Sequence, residues 1–123
     1  MIEDDFQLIS VYTRQQAIED GVLIEAGSLA QEAGIEVHVA LTAAAWAECV
    51  TVPESCPWQD ETGRLWDVLN VLAMKARQSE QPTIFFTVAV NSGDHLRDIE
   101  LKLVCGPGDE DEPVFTVMLP GED

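Results

Sequence analysis

From Pro82 onward, apolar and polar positions alternate along the chain. Ile84 to Val90, Leu96 to Cys105 and Val114 to Leu119 read as three successive strands. In the second, Ile99, Leu101, Leu103 and Cys105 alternate with Asp98, Glu100, Lys102 and Val104. The links NSGDH and GPGDEDEP are short and rich in turn formers, so an antiparallel meander is the economical topology. Just before this region the period changes. Leu65, Val68, Leu69, Leu72 and Ala76 share one stripe at three-to-four spacing, which predicts a helix from Gly63 to about Gln78, opened by Thr62. Lys75 and Arg77 near its end suit the helix dipole.

The N-terminal half has shorter elements. Phe6 to Val11 has weak strand character. Thr13 and Gln16 have capping-box spacing and Gly21 supplies a stop, so 14–20 reads as a short helix. Val22 to Glu25 is either a strand or a packed loop. Ser28 caps a helix from Leu29 to Ala33, which Gly34 ends. Ile35, Val37, Val39 and Leu41 then alternate with Glu36, His38 and Ala40, as in a half-buried strand. Thr42 caps a third short helix, Ala43 to Val50, and TVPESCPWQDET at 51–62 is loop by its prolines and polar residues.

Helices first and strands later give an α+β fold. Short N-terminal helices and one long helix pack on a C-terminal three-stranded antiparallel meander, with room for an added N-terminal strand. The 123 residues fit a single domain, 1–123, without internal repeat or linker.

Charge changes the picture more than composition does. A hydrophobic content of 46% is that of a folded chain. Twenty-three acids against six bases, however, leave a net charge of −17. Such a surface repels nucleic acid and anionic membranes, attracts basic partners and repels itself. The longest apolar run, Thr83 to Val90, is strand-sized, and MIEDDFQ is acidic where a signal peptide is basic. The expected location is therefore the cytoplasm. Three cysteines, Cys49, Cys56 and Cys105, without CxxC spacing, predict reduced thiols rather than a disulfide framework or zinc site.

Candidate chemistry is sparse. The histidines are His38, on the polar phase of its strand, and His95, in a turn. Cys49 falls on the apolar face of a helix, whereas Cys56 in ESCPW reads as more exposed. No catalytic residue, metal ligand or cofactor is predicted: nucleophile elbow, phosphate loop and HExxH are all missing, and DEDE lacks EF-hand spacing. Trp46 and Trp66 on helices are expected in the core or at its edge. Trp58, in a loop beside Asp60 and Glu61, either anchors a partner or pins its loop to the body. Asp109, Glu110, Asp111 and Glu112 occupy the tip between the last two strands, either as a solvated bend or as a surface for something positive. Trp58, Asp60, Glu61 and Asp109 to Glu112 are the candidate partner-binding residues.

YTRQQAIEDGVLIEA at 12–26, VALTAAAWAECVTVPES at 39–55, QDETGRLWDVLNVLAMKAR at 59–77 and CGPGDEDEPVFTVMLPGED at 105–123 together resemble a family of uncharacterised bacterial proteins. That family is a domain of unknown function met on plasmids and other mobile elements. Glu19, Asp20, Gly21, Trp66, Asp67, Gly108 and Asp109 are among the family-like residues. The resemblance implies bacterial origin and a setting among accessory genes of mobile DNA, and it implies no activity.

The leading expectation is a non-enzymatic acidic interaction protein that imitates nucleic acid and occupies a basic, nucleic-acid-binding protein. It requires carboxylates gathered on one face. The alternative is a small accessory or ligand-binding domain whose acidity serves solubility, with a pocket lined by Trp46, Trp66 and strand residues. A saline cytoplasm is a third account of the charge. Catalysis comes last, because it needs His38 or His95 to face a cysteine or a buried carboxylate.

Overall fold

The computed structural model describes residues 12–93 and 95–122. The weak strand Phe6 to Val11, and with it the added N-terminal strand, lies outside them. Helix α1 (Arg14–Glu19) starts at the expected capping box, in which the Thr13 hydroxyl accepts from Gln16 N and the Gln16 side chain accepts from Thr13 N. Val22 to Glu25 resolves as a strand, β1 (Leu23–Glu25).

Helix α2 (Ser28–Glu32) corrects the predicted cap. Ser28 is already helical. Gly27 precedes it at φ 69°, ψ −151°, a conformation open in practice only to glycine, and no side chain caps this helix. Strand β2 (His38–Thr42) runs into α3 (Ala43–Cys49), capped by the Thr42 hydroxyl on Ala45 N as expected.

Helix α4 (Glu61–Gln78) begins earlier than its predicted start, because Asp60 rather than Thr62 is the cap: its carboxylate accepts from Gly63 N at 2.6 Å. Strands β3 (Thr83–Asn91), β4 (Leu96–Pro107) and β5 (Pro113–Met118) then form the meander. The described residues thus contain four helices and five strands in an α+β arrangement.

The strand order is β1-β2-β5-β4-β3. The sheet therefore extends beyond the expected three strands and is mixed, since β2 pairs parallel with β5 and antiparallel with β1. A parallel pair joined by a long crossover leaves no local mark on either strand.

One face carries Leu41, Val117, Leu103, Leu101, Phe86 and Val88, all buried, against which α4 lays Leu65, Val68, Leu69 and Leu72. Truncating one of these leucines to alanine would cost about 2–5 kcal/mol through lost burial and the cavity left behind. On β2, however, Val39, Ala40 and Leu41 are buried in succession. Ala40, assigned by alternation to the polar side, lies on the face where the Arg14 guanidinium of α1 reaches the hydroxyl of its neighbour Thr116 at 2.7 Å.

Candidate functional site

The acid tip is built into the fold. The two Asp109 oxygens accept from the backbone N–H groups of Arg14 at 2.8 Å and Gln15 at 3.0 Å. With Thr13 serving Gln16, the first three N–H groups of α1 have partners. Glu112 turns back so that its carboxylate accepts from Glu110 N at 3.0 Å, and Gly108 N donates to Glu112 O at 2.6 Å. Asp111 has φ 63°, the left-handed region. Arg14 lies over this bend, and partial burial lowers its pKa against the opposing pull of Glu25, Asp109 and Glu112. Of the four tip acids, two therefore hold structure, while the exposed carboxylates of Glu110 and Asp111 have no hydrogen-bond partner among the described residues.

The other candidate group lies at the far edge of the sheet. The loop before α4 is tied down at two points. Cys56 has 0% exposure, and Gln59 Nε2 donates to Asn91 O of β3 at 3.2 Å. This burial corrects the expectation that Cys56 is exposed. The turn formed by Cys56 N to Pro53 O and Gln59 N to Cys56 O directs its sulfur against Gly93, where an added Cβ would stand 3.3 Å from it. Because Cys56 and Gln59 pin the loop, Trp58 does not have to, and it stands 66% exposed.

Trp58 borders a cleft of about 480 Å³ between the first half of α4 and the last residues of β3. Trp66, 36% exposed, shares the cleft with Asp60, Asp67, Arg64 and the β3 residues Val88 to Asn91. Glu61 sits on the adjoining first turn of α4, outside the lining. Trp46 packs against the core instead.

Arg64 is the feature that sequence reasoning missed. It is 9% exposed, its Nε donates to Cys49 O at 3.1 Å, and its buried Nη1 has no hydrogen-bond partner. A buried cation with an open donor is costly and calls for an explanation. A shortage of acids is not that explanation in this chain. The signal was present: Arg64 lies four residues before Val68 and eight before Leu72, on the apolar stripe of α4. The cleft thus combines two accessible indoles and two carboxylates with a guanidinium whose unpaired Nη1 is buried beneath the surface.

The cysteines are free: Cys49 and Cys56 are buried and Cys105 is half-buried. Burial, with Glu48 nearby, raises the Cys49 pKa to about 11, so its thiol is a poor nucleophile near neutrality. Among the described residues, no three or more His, Cys, Asp or Glu side chains come together as a metal would require, and no helix is long and apolar enough to cross a membrane. His38 is exposed on the outer face of β2, and His95 is exposed beyond β3.

Fold and cleft define a small α+β domain with an aromatic, acid-rimmed recess at a sheet edge. By sequence the chain belongs to DUF6573, a family of unknown function, whose family model matches residues 3–123. No curated protein and no solved structure matches it.

Proposed function

We propose that this protein is a non-catalytic binding module. Its negative exterior draws in a basic protein segment, and the Trp58–Trp66 cleft anchors that segment. One observation carries the reading: on a chain of charge −17, two exposed indoles stand in one cleft beside Asp60, Asp67 and a buried guanidinium that has no acid partner among the described residues. Indole faces and carboxylates together suit a lysine or arginine side chain. Arg64 lines the same cleft, and a segment whose seating opens a path to its buried Nη1 would give that donor a carbonyl or carboxylate.

Among the described residues, the other acids are dispersed over α1, β1, α2, α3, the first turn of α4, β4 and the connections, and Glu48 is paired with Arg97 at 3.0 Å. That distribution favours capture of a short basic segment over imitation of a whole nucleic-acid backbone. The family resemblance supports a bacterial setting among the accessory genes of mobile elements, and a cytoplasmic location is part of the same proposal. No direct nucleic-acid contact, membrane contact, cofactor or chemical step belongs to this reading.

The test is affinity capture from a bacterial lysate at 50 mM and 500 mM salt, with parent, Trp58→Ala and Trp66→Ala proteins side by side. A basic protein retained by the parent at low salt, and lost both on raising salt and in the variants, is the expected result. Equal retention by all three proteins would move the binding surface away from the cleft.

A further inference from the structure

We propose that β3 receives an extended basic peptide segment as a sixth strand, a binding mode that rests on the binding-module reading above. The hydrogen-bond phase of β3 is fixed by its ends. Cys105 N donates to Pro82 O, and Ser92 N donates to His95 O, so even-numbered residues turn their backbone groups toward β4. The odd residues Thr83, Phe85, Thr87 and Ala89 consequently turn their N–H and C=O groups outward. Among the described residues, no strand pairs with that side. At Asn91 the outward carbonyl is taken by Gln59, which closes the edge at the cleft.

The two edges of the sheet are not equally protected. Edge strands are ordinarily blunted by brevity, charge, proline or a bulge. Strand β1 is three residues long and includes Glu25, whereas β3 is nine residues, TIFFTVAVN, without a charge or a proline. Uncharged runs of this length also occur at 37–47 and 113–121, but the strands there, β2 and β5, have neighbours on both sides, whereas β3 has one among the described residues.

The charge around the edge selects the occupant. On the outer face, Thr87 and Ala89 lie opposite Glu100 and Asp98 of β4. Those acids would stand two strand spacings, about 10 Å, from an added strand. Lysine or arginine stems reaching over Thr87 and Ala89, and the acid side chains reaching back, can close that gap. On the helix side, alternate residues of the same segment would meet Trp66 and Asp67. A second copy of this chain would instead bring two charges of −17 together.

The probe is an acetylated, amidated (Lys-Val)4 peptide, with three controls: a (Glu-Val)4 peptide, a (Lys-Val)4 peptide N-methylated at alternate residues along one edge, and the same peptide N-methylated along the other. Binding is followed by fluorescence anisotropy, and amide exchange by NMR. The lysine peptide should bind with an affinity that falls at least tenfold between 50 mM and 300 mM salt. It should slow exchange at Thr83, Phe85, Thr87 and Ala89 at least tenfold while leaving Ile84, Phe86 and Val88 unchanged. One N-methylated peptide, but not the other, should lose at least thirtyfold in affinity. Thr87→Lys, at an exposed position, should weaken binding at least tenfold with the fold intact by circular dichroism. Binding without protection of the odd amides, or equal binding by both N-methylated peptides, overturns strand addition and leaves the binding-module reading standing. No binding by any lysine peptide, together with lysate capture unaffected by Trp58→Ala, defeats both. Odd amides already protected in a peptide-free dimer would make a second copy the occupant and overturn the basic peptide.

Discussion

Asp109 accepts the backbone N–H of Arg14 at 2.8 Å across 95 residues of sequence, so the acidic tip before β5 caps the first described helix. Asp109→Ala is expected to lower stability by about 1–2 kcal/mol, the usual cost of losing a cap. Glu110→Gln, at an unconstrained tip position, should stay within about 0.5 kcal/mol of the parent. Asp111→Gly, which relieves φ 63°, should raise stability by about 0.5–1 kcal/mol. Urea unfolding of the three variants checks all three signs. Equal small effects throughout would mean that the tip is a mere solvated bend.

Trp58 contributes area to the cleft and little to the core. Trp58→Ala should leave the urea midpoint within about 0.5 kcal/mol of the parent, while weakening capture of the basic partner at least tenfold. A large stability loss would show that Trp58 pins its loop after all.

Arg64 separates stability from function in the opposite direction. Arg64→Met removes a buried charge and one bond to Cys49 O while keeping an unbranched stem, so stability should change by less than about 1.5 kcal/mol in either direction. Partner binding should fall with it. Arg64→Lys keeps the charge without the planar fork and should not restore binding.

Above pH 9 the fold should weaken. Burial holds the Cys49 pKa near 11 in the folded state, above the ordinary 9.0. Between those values the folded thiol binds a proton that the unfolded one has released, so its contribution is complete below pH 9 and is lost as pH climbs toward 11. Tyr12, whose hydroxyl donates to Asp20 at 2.7 Å, is also shifted upward and acts in the same direction above pH 10. Melting curves from pH 8 to 11 in a Tyr12→Phe background should slope down, and adding Cys49→Ala should flatten them. Persistence of the same slope would assign it to other groups.

Salt should stabilise the protein and then saturate. Screening relieves self-repulsion of the −17 charge within a few tenths molar, where the Debye length falls below about 8 Å. The melting temperature should rise to roughly 0.3 M NaCl and level off. A continued climb into molar salt would mark adaptation to brine.

The alternation of Ile99, Leu101 and Leu103, and the stripe from Leu65 to Leu72, were legible because each reports a face buried against a neighbouring layer. The pairing of β2 with β5 was not, since His38 and Val114 meet across 76 positions and neither strand carries a trace of its partner. Ala40 misled for the same reason: a central strand covered on both faces loses its period of two. In the cleft, Trp58, Asp60 and the loop were legible from composition. Trp66 was expected at the core edge and proved to flank Trp58, while Arg64 was overlooked because a guanidinium on an apolar stripe reads as an interruption rather than as a buried group. Cys56 was misplaced because a tight turn, invisible to hydropathy, decides which way its sulfur points.

The position of β5 between β2 and β4 has a consequence for fragments of this chain. The described strands before Pro113 can pair only as β1 with β2 and β3 with β4, with no backbone seam between the two pairs, and interrupting the polypeptide at residue 112 would bare two inner edges. Such a fragment should precipitate alone and dissolve again when a synthetic peptide spanning 113–119 is supplied in trans, so that one six-residue strand acts as the clasp for the whole sheet.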